Sequence, residues 1–252
     1  MSSLSKVAVC QMTSVADKQT NMDVVTKLIE RASKENVQMM FFPEACDFIC
    51  DNKKDIPKFS EPIIGGPTVN RYRELALKHN VWLSMGGLHE KDSKDPSKVF
   101  NTHVIIDNQG KIVQTYRKLH LFDVEIPAKN VRLKESDFCN PGENIVAPVA
   151  TPAGRIGLAI CYDLRFPEMC TQLAILGTEM LTFPSAFTYA TGEAHWHILL
   201  RQDQNQESPS LTSKSRAVLG CESQVVIGVE LKSKQESEPT IELESELRGA
   251  QN

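Results

Sequence analysis

Residues 154–168 read GRIGLAICYDLRFPE, and this stretch decides the fold class. Its first half, GRIGLAIC, is short and almost continuously apolar, which is typical of a strand buried on both faces. The chain then turns through Tyr-Asp-Leu-Arg-Phe to Pro167, a residue that suits the first turn of a helix. The stretch therefore predicts a buried strand, a turn that begins at Cys161, and a helix that runs to Gly177.

Strand and helix patterns alternate on either side of this stretch. Strand-like runs cover residues 6–12, 37–44 and 81–88, and NTHVIID and KIVQTYRK flank Asn108-Gln109-Gly110 as a predicted hairpin. Helical patterns follow two candidate caps, Asn21 and Thr68. Residues 119–144 show no clear period, so we predict a long surface loop there. Strands that alternate with helices indicate sheets covered by helices, and so an α/β class.

Composition excludes several functional classes. The chain has 252 residues, of which 41% are hydrophobic and 24% charged, as in ordinary globular domains. A net charge of −4 without a long basic face argues against a nucleic-acid binder. No apolar run approaches the length of a membrane span, so no membrane partner is predicted.

The N-terminus and the cysteines both indicate a reducing compartment. The start, MSSLSKVAVCQM, has neither the apolar stretch of a secretory signal nor the Arg-rich helix of a transit peptide. A cytoplasmic location is predicted, with a mitochondrial form made from another start site as an alternative. Seven irregularly spaced cysteines indicate reduced thiols, including Cys46 and Cys50, which have no second ligand pair at zinc-site spacing.

The composition changes near residue 201. Residues 202–252 hold five Lys/Arg and nine Asp/Glu, a balance of −4, and contain no aromatic residue. Such a composition disfavours stable packing. We therefore divide the chain into a patterned domain, 1–201, and a partly disordered tail, 202–252, with one predicted strand at 223–231. The closing residues 236–252 are predicted to be solvated or disordered.

Cys161 is the first candidate for chemistry. A Cys at the end of an apolar strand is usually a small buried hydrophobe. A nucleophile on a strand-to-helix turn, however, projects into a cleft, and the backbone N–H groups after it can face a developing oxyanion. A thiol also needs a base or a cation nearby. Glu44, after VQMMFFPE, and Lys118, after KIVQTYRK, end strands in comparable positions and are therefore candidates to meet Cys161.

Three segments together resemble a known family. FFPE around Glu44, YRKLHLFD around Lys118 and GLAICYDLRFPE around Cys161 are similar, in content and order, to the signature segments of the nitrilase superfamily of carbon–nitrogen hydrolases. The resemblance runs from about residue 4 to Arg201. HLFDVEIP, LTFPSAFTYATGEAHW and WLSMGGLHEKD look most like the branch whose members are deaminated glutathione amidases.

This resemblance implies an α-β-β-α sandwich without a metal or organic cofactor. The sequence departs from the family after Arg201, where a helix and several strands are expected, so we predict a second sheet that is incomplete at the C-terminus. The resemblance also implies that Cys161 is the nucleophile, Glu44 the general base, and Lys118 with the backbone N–H of Tyr162 the oxyanion donors. Glu135 matches a second glutamate beside the lysine. Phe187 and His195 are candidates for shaping the substrate pocket, with plain packing as the alternative.

The expected function is hydrolysis of a small primary amide, deaminated glutathione or a similar molecule, to acid and ammonia through a Cys161 thioester. One alternative is an omega-amidase that acts on α-ketoglutaramate or similar α-keto amides. Another is a truncated isoform that is inactive or only binds. The only predicted partner is the small-molecule amide, with a homodimer implied by the resemblance.

Overall fold

The computed structural model describes residues 5–127, 131–204, 225–230 and 240–247. Twelve strands and five α-helices occupy this part of the chain. The strands are β1 (Ser5–Gln11), β2 (Met39–Phe42), β3 (Trp82–Lys91), β4 (Val99–Ile106), β5 (Ile112–Arg117), β6 (Asp123–Ile126), β7 (Val131–Lys134), β8 (Val149–Thr151), β9 (Gly154–Leu158), β10 (Met180–Ser185), β11 (Val225–Glu230) and β12 (Thr240–Leu247). The helices are α1 (Lys18–Ser33), α2 (Ile56–Phe59), α3 (Pro67–His79), α4 (Pro167–Ile175) and α5 (Tyr189–Gln204).

The first sheet has the strand order β12-β1-β2-β3-β4-β5. Strands β1, β2 and β3 are parallel, because α1 and α3 carry the chain back between them. Strands β4 and β5 form the predicted antiparallel hairpin, whose turn contains Gly110 at φ +71°. Two reversals of direction make β5 parallel to β2, so the C-terminal ends of both strands lie at the same edge of the sheet.

The second sheet has the order β11-β10-β9-β8. Its three strands β9, β10 and β11 are parallel, and β8 joins β9 in an antiparallel pair. The predicted buried strand is β9, and the predicted helix after it is α4, which begins at Pro167.

Alternating side chains of β2 show how the layers stack. Met40 and Phe42 pack with apolar residues of α1 and α3, while Met39 and Phe41 face the second sheet. All four are buried, which explains the unbroken apolar run in the sequence. The helices α4 and α5 contribute apolar residues to the cluster that includes the second sheet. The α-β-β-α sandwich is therefore confirmed.

The two sheets are in close contact at Gly86 of β3. A Cβ atom at this position would overlap the ring of Pro184 on β10. Glycine is therefore required here, because any side chain would push the sheets apart beside the strand ends described below.

Two local expectations were wrong. The side chain that caps α1 is Asp17, which accepts a hydrogen bond from the Thr20 N–H at 2.7 Å. Asn21 lies inside the helix and donates instead to the carbonyl oxygens of Val15 and Asp47. Thr68 does not cap α3, because the helix begins at Pro67 and the cap residue is Gly66.

The segment 119–144 is not an irregular loop throughout. It contains the antiparallel pair β6 and β7, followed by a 3-10 turn at Glu135–Asp137. Each strand has only four residues, too few for alternation to stand out in the sequence.

The tail contributes one described strand to each of the two larger sheets. Strand β11 falls within the predicted strand at 223–231 and pairs with β10. Strand β12 pairs with β1 in the first sheet, so the prediction that residues 236–252 lack structure was wrong for 240–247. Backbone pairing with an edge strand gives this acidic segment its hydrogen bonds, which its composition does not indicate. The rest of the tail lies outside the described residues.

Candidate active site

Three strand ends bring the predicted catalytic side chains together. Glu44 lies two residues after β2, Lys118 directly after β5, and Cys161 three residues after β9. All three are buried in the cleft between the sheets. Their proximity follows from the topology, because the C-terminal ends of β2, β5 and β9 meet at one end of the sandwich.

Lys118 forms the centre of the site. Its Nζ lies 3.1 Å from Oε1 of Glu44 and 2.9 Å from Oε2 of Glu135. Only 2% of the residue is exposed, and burial disfavours its charge. The two carboxylates together outweigh burial and raise the pKa of Lys118 well above its ordinary value. Lys118 is therefore a fixed cation.

Glu44 accepts hydrogen bonds on both carboxylate oxygens. Its Oε1 accepts from Lys118 Nζ at 3.1 Å and from Asn101 Nδ2 at 2.8 Å. Its Oε2 accepts from the Ala186 N–H at 2.9 Å, just after β10. The second sheet therefore helps to hold a side chain that the first sheet supplies.

Cys161 sits in a strained turn. Its φ is +45°, in the left-handed region that non-glycine residues rarely adopt. It begins the 3-10 turn Cys161–Arg165, whose first N–H groups have no partner within the turn. The Tyr162 N–H is one of these groups, and its role as an oxyanion donor stays a prediction.

The thiol is held in its neutral form. Burial, followed by the Glu44 carboxylate, raises the pKa of Cys161 well above its ordinary value, although Lys118 and a hydrogen bond from the Ala186 backbone oppose this. The effect of Glu44 on this pKa shows that its carboxylate lies near the thiol. A base therefore stands close to the group that must lose a proton before the sulfur can attack.

Glu135 reaches the same lysine from the β6–β7 segment. Its Oε2 accepts from the Phe122 N–H at 2.7 Å as well as from Lys118. Burial would raise the pKa of Glu135, but Lys118 and these hydrogen bonds lower it below its ordinary value. Glu135 is therefore an ionised carboxylate beside the lysine.

Asn101 was missed by the sequence analysis. It lies in β4, and its amide nitrogen donates to Glu44 at 2.8 Å and to Glu135 Oε1 at 3.1 Å. The signal was available, because Asn is disfavoured in strands and NTHVIID places one at the start of an otherwise regular strand.

Asp163 was also missed, although it lies within the quoted stretch. It is fully buried and accepts from the Ile160 N–H at 2.9 Å and the Tyr116 hydroxyl at 2.7 Å. Its other oxygen lies 3.1 Å from the backbone nitrogen and 2.7 Å from Nδ1 of His120. One carboxylate thus ties the Cys161 turn to the residues on both sides of Lys118, and His120 orients this loop.

The remaining candidates are Phe187 and His195, for the substrate pocket, and the cysteines Cys46 and Cys50. Phe187 packs edge-on against Trp196, with ring centroids 5.3 Å apart, and His195 is exposed on α5. Their role in shaping a pocket therefore stays a prediction. Cys46 is fully buried, and Cys50 is a free thiol of intermediate exposure.

Two features of the described residues bear on metal binding and on membranes. Within them, no group of three or more His, Cys, Asp or Glu side chains is arranged to hold a metal ion. None of the helices in the described ranges is both long enough and apolar enough to cross a bilayer.

Sequence comparisons with known proteins identify the family of this chain. Residues 6–206 match the carbon–nitrogen hydrolase family. The chain is 46% identical to human deaminated glutathione amidase over 200 residues, which cover 79% of the chain and 61% of that protein. It is 48% identical to the Drosophila melanogaster nitrilase and fragile histidine triad fusion protein NitFhit over 195 residues, 77% of the chain and 41% of that protein.

Solved structures agree. The Caenorhabditis elegans NitFhit crystal structure superposes with a TM-score of 0.78 at 41% identity, covering 94% of this chain and 53% of that one. Saccharomyces cerevisiae Nit3, a member of branch 10 of the nitrilase superfamily, gives a TM-score of 0.72 at 30% identity, covering 92% and 78%. The chain spans about half the length of the curated relatives named above. The family match over residues 6–206 and the fold shared with these solved structures show that this chain belongs to the carbon–nitrogen hydrolase family of the nitrilase superfamily.

Proposed function

We propose that the chain is an amidase that hydrolyses a small linear amide through a thioester on Cys161. The observation that carries the proposal is the buried ion pair between Lys118 and Glu44 at 3.1 Å, together with the influence of both groups on the pKa of the buried Cys161 thiol. Burying an ammonium and a carboxylate is costly unless they are paired and hydrogen-bonded, so such a cluster beside a strained cysteine indicates catalysis.

The first step forms the carbon–sulfur bond. Glu44 takes the thiol proton while the sulfur attacks the amide carbon, and the carbonyl π electrons move onto oxygen. Because the pKa of Cys161 is raised, the proton leaves as the new bond forms and no free thiolate accumulates. The open lone pair of Glu44 Oε2 is the acceptor, since Oε1 already accepts from Lys118 and Asn101.

The second step releases the amine. Glu44 returns the proton to the nitrogen of the tetrahedral intermediate. The carbonyl forms again as the carbon–nitrogen bond breaks, and ammonia or an amine departs, leaving a thioester on Cys161. A water then attacks the thioester with Glu44 again acting as base, and the acid and the free thiol are released. Each step moves one proton through the same carboxylate, so no other acid or base is needed.

Lys118 and the Tyr162 N–H are the proposed donors to the oxyanion. Lys118 is fixed by two carboxylates, and the 3-10 turn fixes the Tyr162 N–H. Donors held in place before the reaction pay no reorganisation cost, and removing one typically lowers the rate by about a hundredfold to a thousandfold.

The relatives suggest the substrate class. Those that carry the name deaminated glutathione amidase are 46% identical to this chain in human and cattle. Deaminated glutathione is therefore the substrate that we propose, with α-ketoglutaramate as the competitor. Comparing kcat/KM for the two amides tests this choice, and a preference for α-ketoglutaramate would overturn it.

Mass spectrometry tests the activity itself. Purified protein incubated with a slow amide should gain one acyl group, located on the Cys161 peptide. Cys161→Ala should keep a cooperative thermal transition but lose both the adduct and turnover by at least a thousandfold. Cys50→Ala, which removes a free thiol of intermediate exposure outside the cluster, is the matched control and should keep full activity. Turnover that survives in Cys161→Ala, or a folded parent protein without an adduct, would refute the proposal.

A further inference from the structure

We infer that Asn101 is a positioning residue that holds Glu44 and Glu135 around Lys118 and leaves Oε2 of Glu44 as the oxygen that can accept the thiol proton. The inference rests on the proposed function, since it assigns a task within the same site. It follows from a closed set of hydrogen bonds and from one buried atom that lacks a partner.

The hydrogen bonds form a ring of four side chains. Lys118 Nζ lies 3.1 Å from Glu44 Oε1 and 3.2 Å from Glu135 Oε1. Asn101 Nδ2 lies 2.8 Å and 3.1 Å from the same two oxygens. Each carboxylate is therefore held by both donors through one oxygen.

The charges explain why the second donor is an amide. Two carboxylates and one ammonium leave a net charge of −1 in a buried ring, where like charges repel strongly. A second cation would neutralise the ring and weaken Glu44 as a base. The Asn101 amide supplies two N–H donors without a charge. It therefore stabilises both carboxylates and weakens Glu44 as a base less than a second cation would.

The orientation of the amide is fixed. Its nitrogen must face the two carboxylates, because the amide oxygen would be repelled there. Asn101 Oδ1 is consequently buried, and it has no hydrogen-bond partner among the described residues. Unpaired buried oxygens are rare in native proteins because they are costly. The unpaired oxygen therefore indicates that the important interactions of this amide are the two hydrogen bonds that its nitrogen donates.

Gly87 provides the space for this arrangement. Its φ is +59°, and a Cβ atom there would lie 2.6 Å from Glu44 Cγ and 2.8 Å from Asn101 Oδ1. The backbone of β3 therefore contacts both side chains directly. Any larger residue at this position would displace the base or the amide.

The ring determines which oxygen of Glu44 reacts. Both lone pairs of Oε1 are used by Lys118 and Asn101, whereas the hydrogen bond that Oε2 accepts within the described part of the chain comes from the Ala186 N–H. Without the amide, Oε1 would have an open lone pair and the carboxylate could rotate. Asn101 therefore keeps the open lone pair on Oε2, the oxygen that we propose as the proton acceptor.

Several titratable groups face the two carboxylates within the described part of the chain. They are Lys118, Cys161, Cys139 and the pair formed by His89 and Asp47. Each is present in both the parent protein and the variants below, so a difference between them reports the amide.

The test compares Asn101→Leu with Thr102→Val. Leucine has nearly the shape of asparagine but donates no hydrogen bond. Thr102 is the matched control because it is the next residue of β4, is also buried, and donates to Glu90 at 2.6 Å. Thr102→Val therefore removes one buried bond to a carboxylate without touching the ring.

Two pH profiles are measured for each protein, and both should change only in Asn101→Leu. The first is kcat/KM, and the second is the rate at which iodoacetamide alkylates the Cys161 peptide, which needs no turnover. The pKa of Glu135 is held down by Lys118 and by hydrogen bonds that include the one from Asn101, so the ring should bind a proton at higher pH without the amide. The acidic limb of both profiles should therefore move up by about one pH unit, with a roughly tenfold loss of kcat and little change in KM.

The outcomes separate this inference from the proposed function. A parent protein that alkylates with the expected profile but does not turn over amides would refute the proposed function alone. Acidic limbs that stay within about 0.3 pH units of the parent in Asn101→Leu would overturn the role of Asn101. If Asn101→Leu fails to fold, Asn101→Asp is measured instead, because its shape is the same and its added charge should move the limbs at least as far. An equal shift in Thr102→Val would show a general loss of structure and would also overturn the inference.

Discussion

Asp163→Asn is the sharpest test of how the catalytic turn is held. The Asp163 carboxylate is fully buried and accepts four hydrogen bonds from Ile160, Tyr116 and His120, two on each oxygen. An asparagine of the same shape keeps one accepting oxygen. Whichever way the amide points, its N–H groups meet the backbone N–H of either Ile160 or His120, and neither of these can accept.

The cost can be worked out from these bonds. At best two of the four bonds survive, and a bond to a charged group contributes roughly 1.5–3 kcal/mol. Burying a neutral amide costs less free energy than burying a carboxylate, and this difference offsets part of the loss. The free energy of unfolding should fall by about 2–4 kcal/mol, which corresponds to a drop in Tm of roughly 5–15 °C for a domain of this size.

The assay is chemical denaturation of parent and variant, with initial rates measured well below Tm. Because the Cys161 turn and the Lys118 loop lose their common anchor, kcat should fall at least tenfold even where the variant is folded. Asp137→Asn is the control, since Asp137 is exposed and pairs only with Arg132 on the surface, and it should leave the unfolding midpoint unchanged. A loss below about 1 kcal/mol with unchanged kcat would refute the reasoning.

Two further predictions concern pH and backbone geometry. Burial lowers the pKa of His103 to about 4, between Ser84 Oγ at 2.7 Å and the Ala159 carbonyl oxygen at 3.2 Å. His103 therefore binds a proton at higher pH in the unfolded chain than in the folded one. The free energy of unfolding is highest above about pH 6.5 and falls as the pH is lowered, by about 3 kcal/mol at pH 4. Urea titrations should show this slope in the parent and a shallower one in His103→Gln, and equal slopes would contradict it. Gly87→Ala should lower kcat at least tenfold by displacing Glu44, whereas Gly65→Ala, also at positive φ but with open space around it, should leave steady-state kinetics unchanged. Equal activity of the two glycine variants would show that the close contact at position 87 is unimportant.

Periodic patterns and strand ends were sufficient to predict the fold class and the place of the site. Buried strands give continuous apolar runs, as β2 and β9 do, because both faces of these strands are covered. Polar residues that interrupt such runs at strand ends are few, and so Glu44, Lys118 and Cys161 stood out. These signals are local, and the sequence carries them without reference to other segments.

Short or irregular elements could not be predicted in this way. The strands β6 and β7 are four residues each, and β12 lies in an acidic segment that pairs with β1 through its backbone. In these elements the hydrogen bonds to a neighbouring segment outweigh local preference, and local preference is all that a pattern reports.

The sequence by itself determined that an α/β sandwich carries a carboxylate, an ammonium and a thiol at its strand ends. Only the tertiary structure decided how these groups are held: by the Asn101 amide between two glutamates, by the Asp163 carboxylate beneath the Cys161 turn, and by the glycine at position 87. The reason is physical. A residue type reveals which hydrogen bonds a side chain can make, but the partner that it meets depends on strands that are 57 or 43 residues away along the chain.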